Sequence, residues 1–260
     1  MIPQAFITQW RNHAPWQDDF QVEQDLIIER SLVEIFNHPL LKKHLAFRGG
    51  TALHKLHLQQ QARYSEDIDL VQMIAGPIKQ IILAIQDSLS FLGVPVIKQK
   101  ANNNTLLFRF MSEAGVPMRL KVEINCREHF SVDPLDEILV SLHSDWFSGE
   151  ALIPTFCIEE LLATKLRAMF QRKKGRDLFD IWYTLATIEN FDIQKMIKTW
   201  KVYLANEGHV ITQKQFLQNM DLKMNDSDFI QDISALLKPS LVYDIHASYQ
   251  IVRSQILEKI

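Results

Sequence analysis

Phe47-Arg48-Gly49-Gly50-Thr51-Ala52-Leu53, followed after a polar stretch by Asp67-Ile68-Asp69-Leu70-Val71, is the part of the sequence whose reading decides the fold. Leu45 to Arg48 reads as a short strand, the glycine pair as a turn, and Thr51 to Leu58 as a helix. Asp67 to Val71 alternates acid and aliphatic residues, which predicts a strand with both aspartates on one face. A glycine turn that opens a helix lets backbone N–H groups approach phosphate oxygens, and the helix start adds partial positive charge. Thr51 can add its hydroxyl. Two carboxylates at i and i+2 on one strand face suit a hard cation such as magnesium, which is commonly held by one or two carboxylates beside substrate phosphates. Taken singly, the glycines could form a plain tight turn and the aspartates a solvated strand end. Their combination in one strand, turn, helix and strand favours a phosphate and metal site at Gly49, Gly50, Thr51, Asp67 and Asp69.

Outward from this unit, Gln21 to Phe36 carries apolar residues at helical spacing, and Pro77 to Phe91 reads as a helix with its proline in the first turn. Thr105 to Ser112 and Met118 to Cys126 have strand character and are joined by Glu113 to Pro117, as in a hairpin. In the second, Met118, Leu120, Val122 and Ile124 take one face, and Arg119, Lys121, Glu123 and Asn125 the other. Glu123 on that polar face can complete a metal site or accept a proton; equally, it can pair with Lys121 or Arg119 in solvent. Beyond Pro154 the periodicity is helical: Ile158 to Phe170, Asp177 to Ile188, Ile193 to Leu204 and, more loosely, Asp226 to Leu237 and Tyr243 to Ile260. The expected fold class is α+β, with a mixed-sheet lobe and flanking helices over 1–153, then a helical lobe over 154–260 that contributes Lys165 and Asp177 to a cleft.

Lys165 has Leu161, Leu162, Ala168 and Met169 as its neighbours three and four residues away, so an ammonium in this apolar stripe needs an anion. A triphosphate is one candidate, and snorkelling to the rim of the core is the plainer account. The run Gln171-Arg172-Lys173-Lys174-Gly175-Arg176 is a basic turn, read by default as a solvated loop and more sharply as a contact for RNA phosphates. It leads to Asp177 and Asp180, which share a helix side with Thr184; Asp177 so near a helix start can serve the helix dipole as readily as chemistry. The nine histidines form no zinc pattern.

A formal charge of −3 over 260 residues rules out a whole-protein field for indiscriminate nucleic-acid binding, so any RNA contact must be local. Cys126 and Cys157 lack metal-ligand spacing and suit buried thiols in a reducing compartment. With neither a signal-like N-terminus nor an apolar run long enough for a bilayer, the expectation is a cytoplasmic location and no membrane partner.

As a set, Phe47 to Leu53, Arg63 to Leu70, Lys121-Val122-Glu123, Lys165 and Lys174 to Asp180 resemble the AbiEii/AbiGii toxin family of nucleotidyltransferases, within the polymerase-beta-like superfamily. The motifs run from Phe47 to Trp182; Asn190 to Ile260 adds no independent match. The resemblance implies a nucleotidyltransferase-like sheet lobe and transfer of an NMP from an NTP to a hydroxyl, with Mg2+ as cofactor, two ions by the general pattern. It implies Asp67, Asp69 and Glu123 as metal ligands, and the turn with Gly50 and Thr51 as the triphosphate holder. Lys165 would contact the nucleotide, Asp177 would be the third-motif acid, and Asp180 would stand behind it. Thr51 stands where serine is common, and Glu123 where aspartate is. The implied setting is the toxin half of a bacterial toxin–antitoxin or phage-defence pair, with a separately encoded antitoxin and RNA, the tRNA 3′ end included, as acceptor. Transfer to a protein or small-molecule hydroxyl uses the same chemistry, and a non-catalytic nucleotide-binding module is the alternative from a different class.

Overall fold

The computed structural model describes residues 2–58, 60–100 and 102–260. The chain forms two compact units, Met1–Phe156 and Cys157–Ile260.

In the first unit, short α1 (Gln4–Trp10) precedes α2 (Asp19–Asn37), and α3 (Pro39–His44) leads directly into β1 (Leu45–Arg48). Gly49 and Gly50 are not a separate turn: they already belong to α4 (Gly49–Ala52), which continues as a π-helical turn over Leu53–His57. Then come β2 (Asp67–Gln72), α5 (Lys79–Ser88), β3 (Val96–Lys100), β4 (Asn103–Met111), β5 (Pro117–Asn125), β6 (Asp136–His143) and β7 (Ser148–Thr155). Pro77 lies ahead of α5, not in its first turn. The seven strands form one mixed sheet in the order β3-β4-β5-β2-β1-β7-β6. β2 runs antiparallel to β1 and parallel to β5, which puts the N-terminal ends of β2 and the middle of β5 side by side next to the start of α4. The hairpin of β4 and β5 matches the periodicity, with Met118, Leu120, Val122 and Ile124 buried and the intervening residues on the open face.

α2 packs along the sheet on β7, and its apolar stripe, Leu26, Ile27, Leu32, Val33, Ile35 and Phe36, is buried. Its polar residues Glu23, Gln24 and Asp25 are buried as well: Glu23 accepts from the Glu113 N–H, Gln24 donates to the carbonyls of Glu66 and Arg119, and α1 and the π turn meet Asp25. Asp25 accepts from Trp10 Nε1 at 3.0 Å, Lys55 Nζ at 3.0 Å and Gln61 Nε2 at 3.2 Å. A buried carboxylate needs such compensation, and here it fastens the segment after the glycines to α2.

The second unit is helical: α6 (Ile158–Gln171), α7 (Gly175–Thr187), α8 (Ile193–Asn206), α9 (Gln213–Lys223), α10 (Ser227–Gln231) and α11 (Ile245–Gln255). α6 packs on α7 and α8, and α11 on α7. Lys223 donates to the carbonyls of Met169 at 2.5 Å and Phe170 at 2.8 Å, so an ammonium satisfies the last turn of α6. Burial of Lys223 pulls its pKa down to about 8. At Gly175 an added Cβ would stand 2.2 Å from the Phe229 carbonyl oxygen. Gly175→Ala should therefore cost about 1–3 kcal/mol through forced backbone shifts, read as a lower chemical-denaturation midpoint.

No helix among the described residues is long and apolar enough to cross a membrane. Cys126 and Cys157 form no disulfide with each other and are half-buried, more open than the expected buried thiols.

Candidate active site

The sheet register sets the first cluster. Asp67 is aligned with Lys121 and Asp69 with Glu123 across the parallel β2–β5 pair, while Arg48 at the end of β1 is aligned with Asp69. Because side chains on adjacent parallel strands at matched positions share a face, Asp67, Asp69, Lys121 and Glu123 all stand on the same open side of the sheet. Lys121 Nζ lies 2.7 Å from both Asp67 Oδ2 and Glu123 Oε2. Asn103 Nδ2 donates to the other oxygen of Glu123 at 2.9 Å.

Gly49 meets Asp69 directly. Its φ of +86° is the left-handed conformation that glycine adopts at no steric cost, and a Cβ there would stand 2.2 Å from Asp69 Oδ2. The backbone entering α4 thus lies against the second aspartate. Thr51 is buried, and its Oγ1 donates to the Asp67 carbonyl at 2.5 Å and shares a 2.7 Å hydrogen bond with Ser65 Oγ. That hydroxyl ties the glycine segment to the first aspartate.

The electrostatics are those of a crowded acid cluster. Burial pushes the Asp67 carboxyl up, and Glu66 and Glu123 add to this against the opposing hydrogen bond and charge of Lys121. Burial likewise raises Asp69, reinforced by the charges of Asp67 and Glu123 and opposed by Arg48 and Lys121. Burial works against the charge on Lys121, but Asp67 and Glu123 outweigh it and hold the ammonium above its ordinary value. Three carboxylates offering only oxygen donors, two of them bridged by the Lys121 ammonium, are chemically suited to a hard divalent cation.

Two participants were not singled out from the sequence. The sequence pairs Lys121 with Glu123 alone, and its bridge to Asp67 depends on the parallel strand pairing. Glu128 is the other: its Oε2 accepts from Arg48 Nη1 at 2.5 Å and fixes that guanidinium at the end of β1. No local pattern marks either role.

The remaining sequence-derived residues come together in the helical unit. Lys165 Nζ lies 2.8 Å from Asp180 Oδ2 and 3.3 Å from Asp177 Oδ1. Arg172 grips Asp177 with two hydrogen bonds of 2.7 Å, the bidentate geometry that guanidinium favours. Asp177 is fully buried; burial alone would raise its pKa, but Lys165 and Arg172 overcome it and hold the carboxyl below its usual range. The Thr184 hydroxyl donates to the Asp180 carbonyl at 2.9 Å, in keeping with the shared helix side. The anions that Lys165 requires are thus present on the next helix. The basic turn is also engaged within this unit: Lys173 pairs with Asp226, and Lys174 with Asp232 at 3.0 Å.

No curated protein matches the chain by sequence. Among solved structures it is similar to MenT4, a nucleotidyltransferase toxin from Mycobacterium tuberculosis H37Rv, with 17% identity and a TM-score of 0.64 over 100% of this chain and 91% of that one. It is also similar to a protein from H. pylori described as a nucleotidyltransferase, with 16% identity and a TM-score of 0.55 over 94% and 98% of the two chains. These likenesses bear on the fold. The family model for the nucleotidyl transferase AbiEii toxin of type IV toxin–antitoxin systems matches residues 30–248, which takes in both charged clusters and most of both units. The chain therefore belongs to the AbiEii family of nucleotidyltransferase toxins.

Proposed function

We propose that the protein transfers a nucleoside monophosphate from an NTP to a hydroxyl on RNA, using magnesium at Asp67, Asp69 and Glu123. The observation that carries this reading is the register of β2 and β5, which gathers three carboxylates on one face with the Gly49 backbone packed against Asp69. In the proposed step the acceptor oxygen forms a bond to the α-phosphorus, the bond from that phosphorus to the β-phosphate oxygen breaks, and pyrophosphate leaves. The hydroxyl proton passes to a carboxylate of the cluster. Magnesium bound there supplies charge stabilisation for the phosphoryl oxygens. The backbone N–H groups at Gly49, Gly50 and Thr51 hold the triphosphate, as first-turn amides without intrahelical partners can. Lys121 positions Asp67 and Glu123 relative to each other. The setting that fits the family is a toxin acting in the cytoplasm and restrained by a separately encoded antitoxin.

The acceptor class is tested by incubating the protein with magnesium, α-labelled NTPs and a cell extract, then digesting parallel samples with ribonuclease or protease. Label on RNA-sized material that only ribonuclease removes is the expected result. Label that only protease removes would replace RNA with a protein hydroxyl as acceptor.

A further inference from the structure

Beside the acid cluster, and within the same unit, lies a cavity of about 580 Å3 that the proposed chemistry leaves unassigned. Pairing between β2 and β5 begins at Lys121, so the first part of β5, from Pro117 to Leu120, has no strand on its β2 side. The cavity is lined by this stretch of β5, by Tyr64 and Glu66 just ahead of Asp67, and by Arg109, Phe110 and Met111 of β4. Gln24 spans its base, donating to the carbonyls of Glu66 at 3.3 Å and Arg119 at 3.0 Å.

Two features of the wall point to a ligand. Arg109 and Arg119 line it and are aligned with each other across the β4–β5 ladder. Like charges directly opposite in a ladder are destabilising, and among the described residues neither guanidinium has an ion-pair partner. An anion between them would remove that repulsion. The rest of the wall is aromatic and apolar, with Phe20, Tyr64, Phe110 and Met118, and the volume suits one nucleotide-sized group. A cationic edge beside aromatic and apolar side chains is the combination that single-stranded nucleic acid uses, phosphates on arginine and bases against rings or apolar groups. Glu66, at the Asp67 end, offers an acceptor oxygen for a ribose 2′-hydroxyl. Arg119 is two residues along the strand from Lys121, about 7 Å, and Lys121 touches Asp67.

We propose that this cavity holds the single-stranded 3′ segment of the RNA acceptor, one nucleotide inside it and the adjoining phosphates on Arg109 and Arg119, so that the terminal hydroxyl reaches the acid cluster. The inference rests on the reading that the acceptor is RNA. It assigns the acceptor strand to a local cationic site on a chain whose net charge is −3.

The test measures binding of a short fluorescein-labelled oligoadenylate across a salt series for the wild type, R109Q/R119Q and R109K/R119K, with NTP binding measured alongside. Losing two charge-assisted contacts should weaken the glutamine variant about ten- to a hundredfold. Its slope of log affinity against log salt should be shallower by about 1.4, the value for two phosphates on a single strand. The lysine variant should keep the wild-type slope, and NTP affinity should be unchanged in all three. Unchanged oligonucleotide binding by the glutamine variant would overturn the cavity assignment while leaving an RNA acceptor intact. Loss of NTP binding instead would assign the arginines to the nucleotide and overturn the proposal. If the wild type binds no oligonucleotide and transfers label only to protein, the RNA reading and the cavity assignment fall together.

Discussion

Asp69→Asn is expected to lower nucleotidyl transfer by about a thousandfold or more while leaving the thermal melt unchanged or slightly raised. Asparagine keeps the shape that packs against Gly49, where the glycine backbone leaves no room for displacement. It removes the anionic charge, and a metal site deprived of one carboxylate loses several kcal/mol of stabilisation for the reacting phosphoryl group, with every 1.36 kcal/mol worth a factor of ten. Stability moves the other way for a physical reason. Burial and the neighbouring charges of Asp67 and Glu123 already disfavour ionised Asp69 in the folded protein, so its removal relieves repulsion. Full activity in the variant would remove Asp69 from the chemistry. Loss of activity together with a collapsed melt would make its part structural.

Lys165→Met is expected to destabilise the helical unit by about 3–5 kcal/mol, because it leaves two buried carboxylates without their shared cation. For a chain of this size that corresponds to a fall of roughly 10 °C in the melting temperature. The pH dependence follows from Asp177. Its folded-state pKa lies below the ordinary value, so its contribution to stability is complete above about pH 4 and is lost as pH falls through the depressed value. The stability difference between wild type and Asp177→Asn should therefore be constant near neutrality and shrink in acid, measured by denaturant titration at a series of pH values. A difference that does not change below pH 4 would mean that the ion pair contributes nothing.

The site was legible in the sequence where the chemistry is local. Asp67 and Asp69 fall on one strand face by simple alternation, and Glu123 follows from the clean two-residue period of Met118 to Asn125. That Lys121 stands between Asp67 and Glu123 was not legible, because it depends on β2 and β5 pairing in parallel across more than fifty intervening positions. The spacing around Lys165 demanded an anion, but not that Asp177 and Asp180 would supply it twelve and fifteen residues later. Strands β6 and β7 left little trace, since β6 is an edge strand and the pair exposes Leu139 and Leu152, which blurs the apolar alternation. Edge strand β3 is exposed at every position and carries no core face to read. α9 leaves little periodic signal for a similar reason: it buries only Phe216, Met220 and Lys223. Glu23, Gln24 and Asp25 look like the wet side of α2, and only tertiary partners, Glu113, the carbonyls of Glu66 and Arg119, α1 and the π turn, make them interior.

The most direct test of the central claim compares NTPs labelled at the α- or the γ-phosphate, each incubated with the purified protein, magnesium and total RNA. The account predicts that α-label moves to the acceptor and γ-label is released in pyrophosphate, with both signals lost in Asp69→Asn. Transfer of the γ-label, or binding of NTP with no label moving to RNA or to protein, would contradict it.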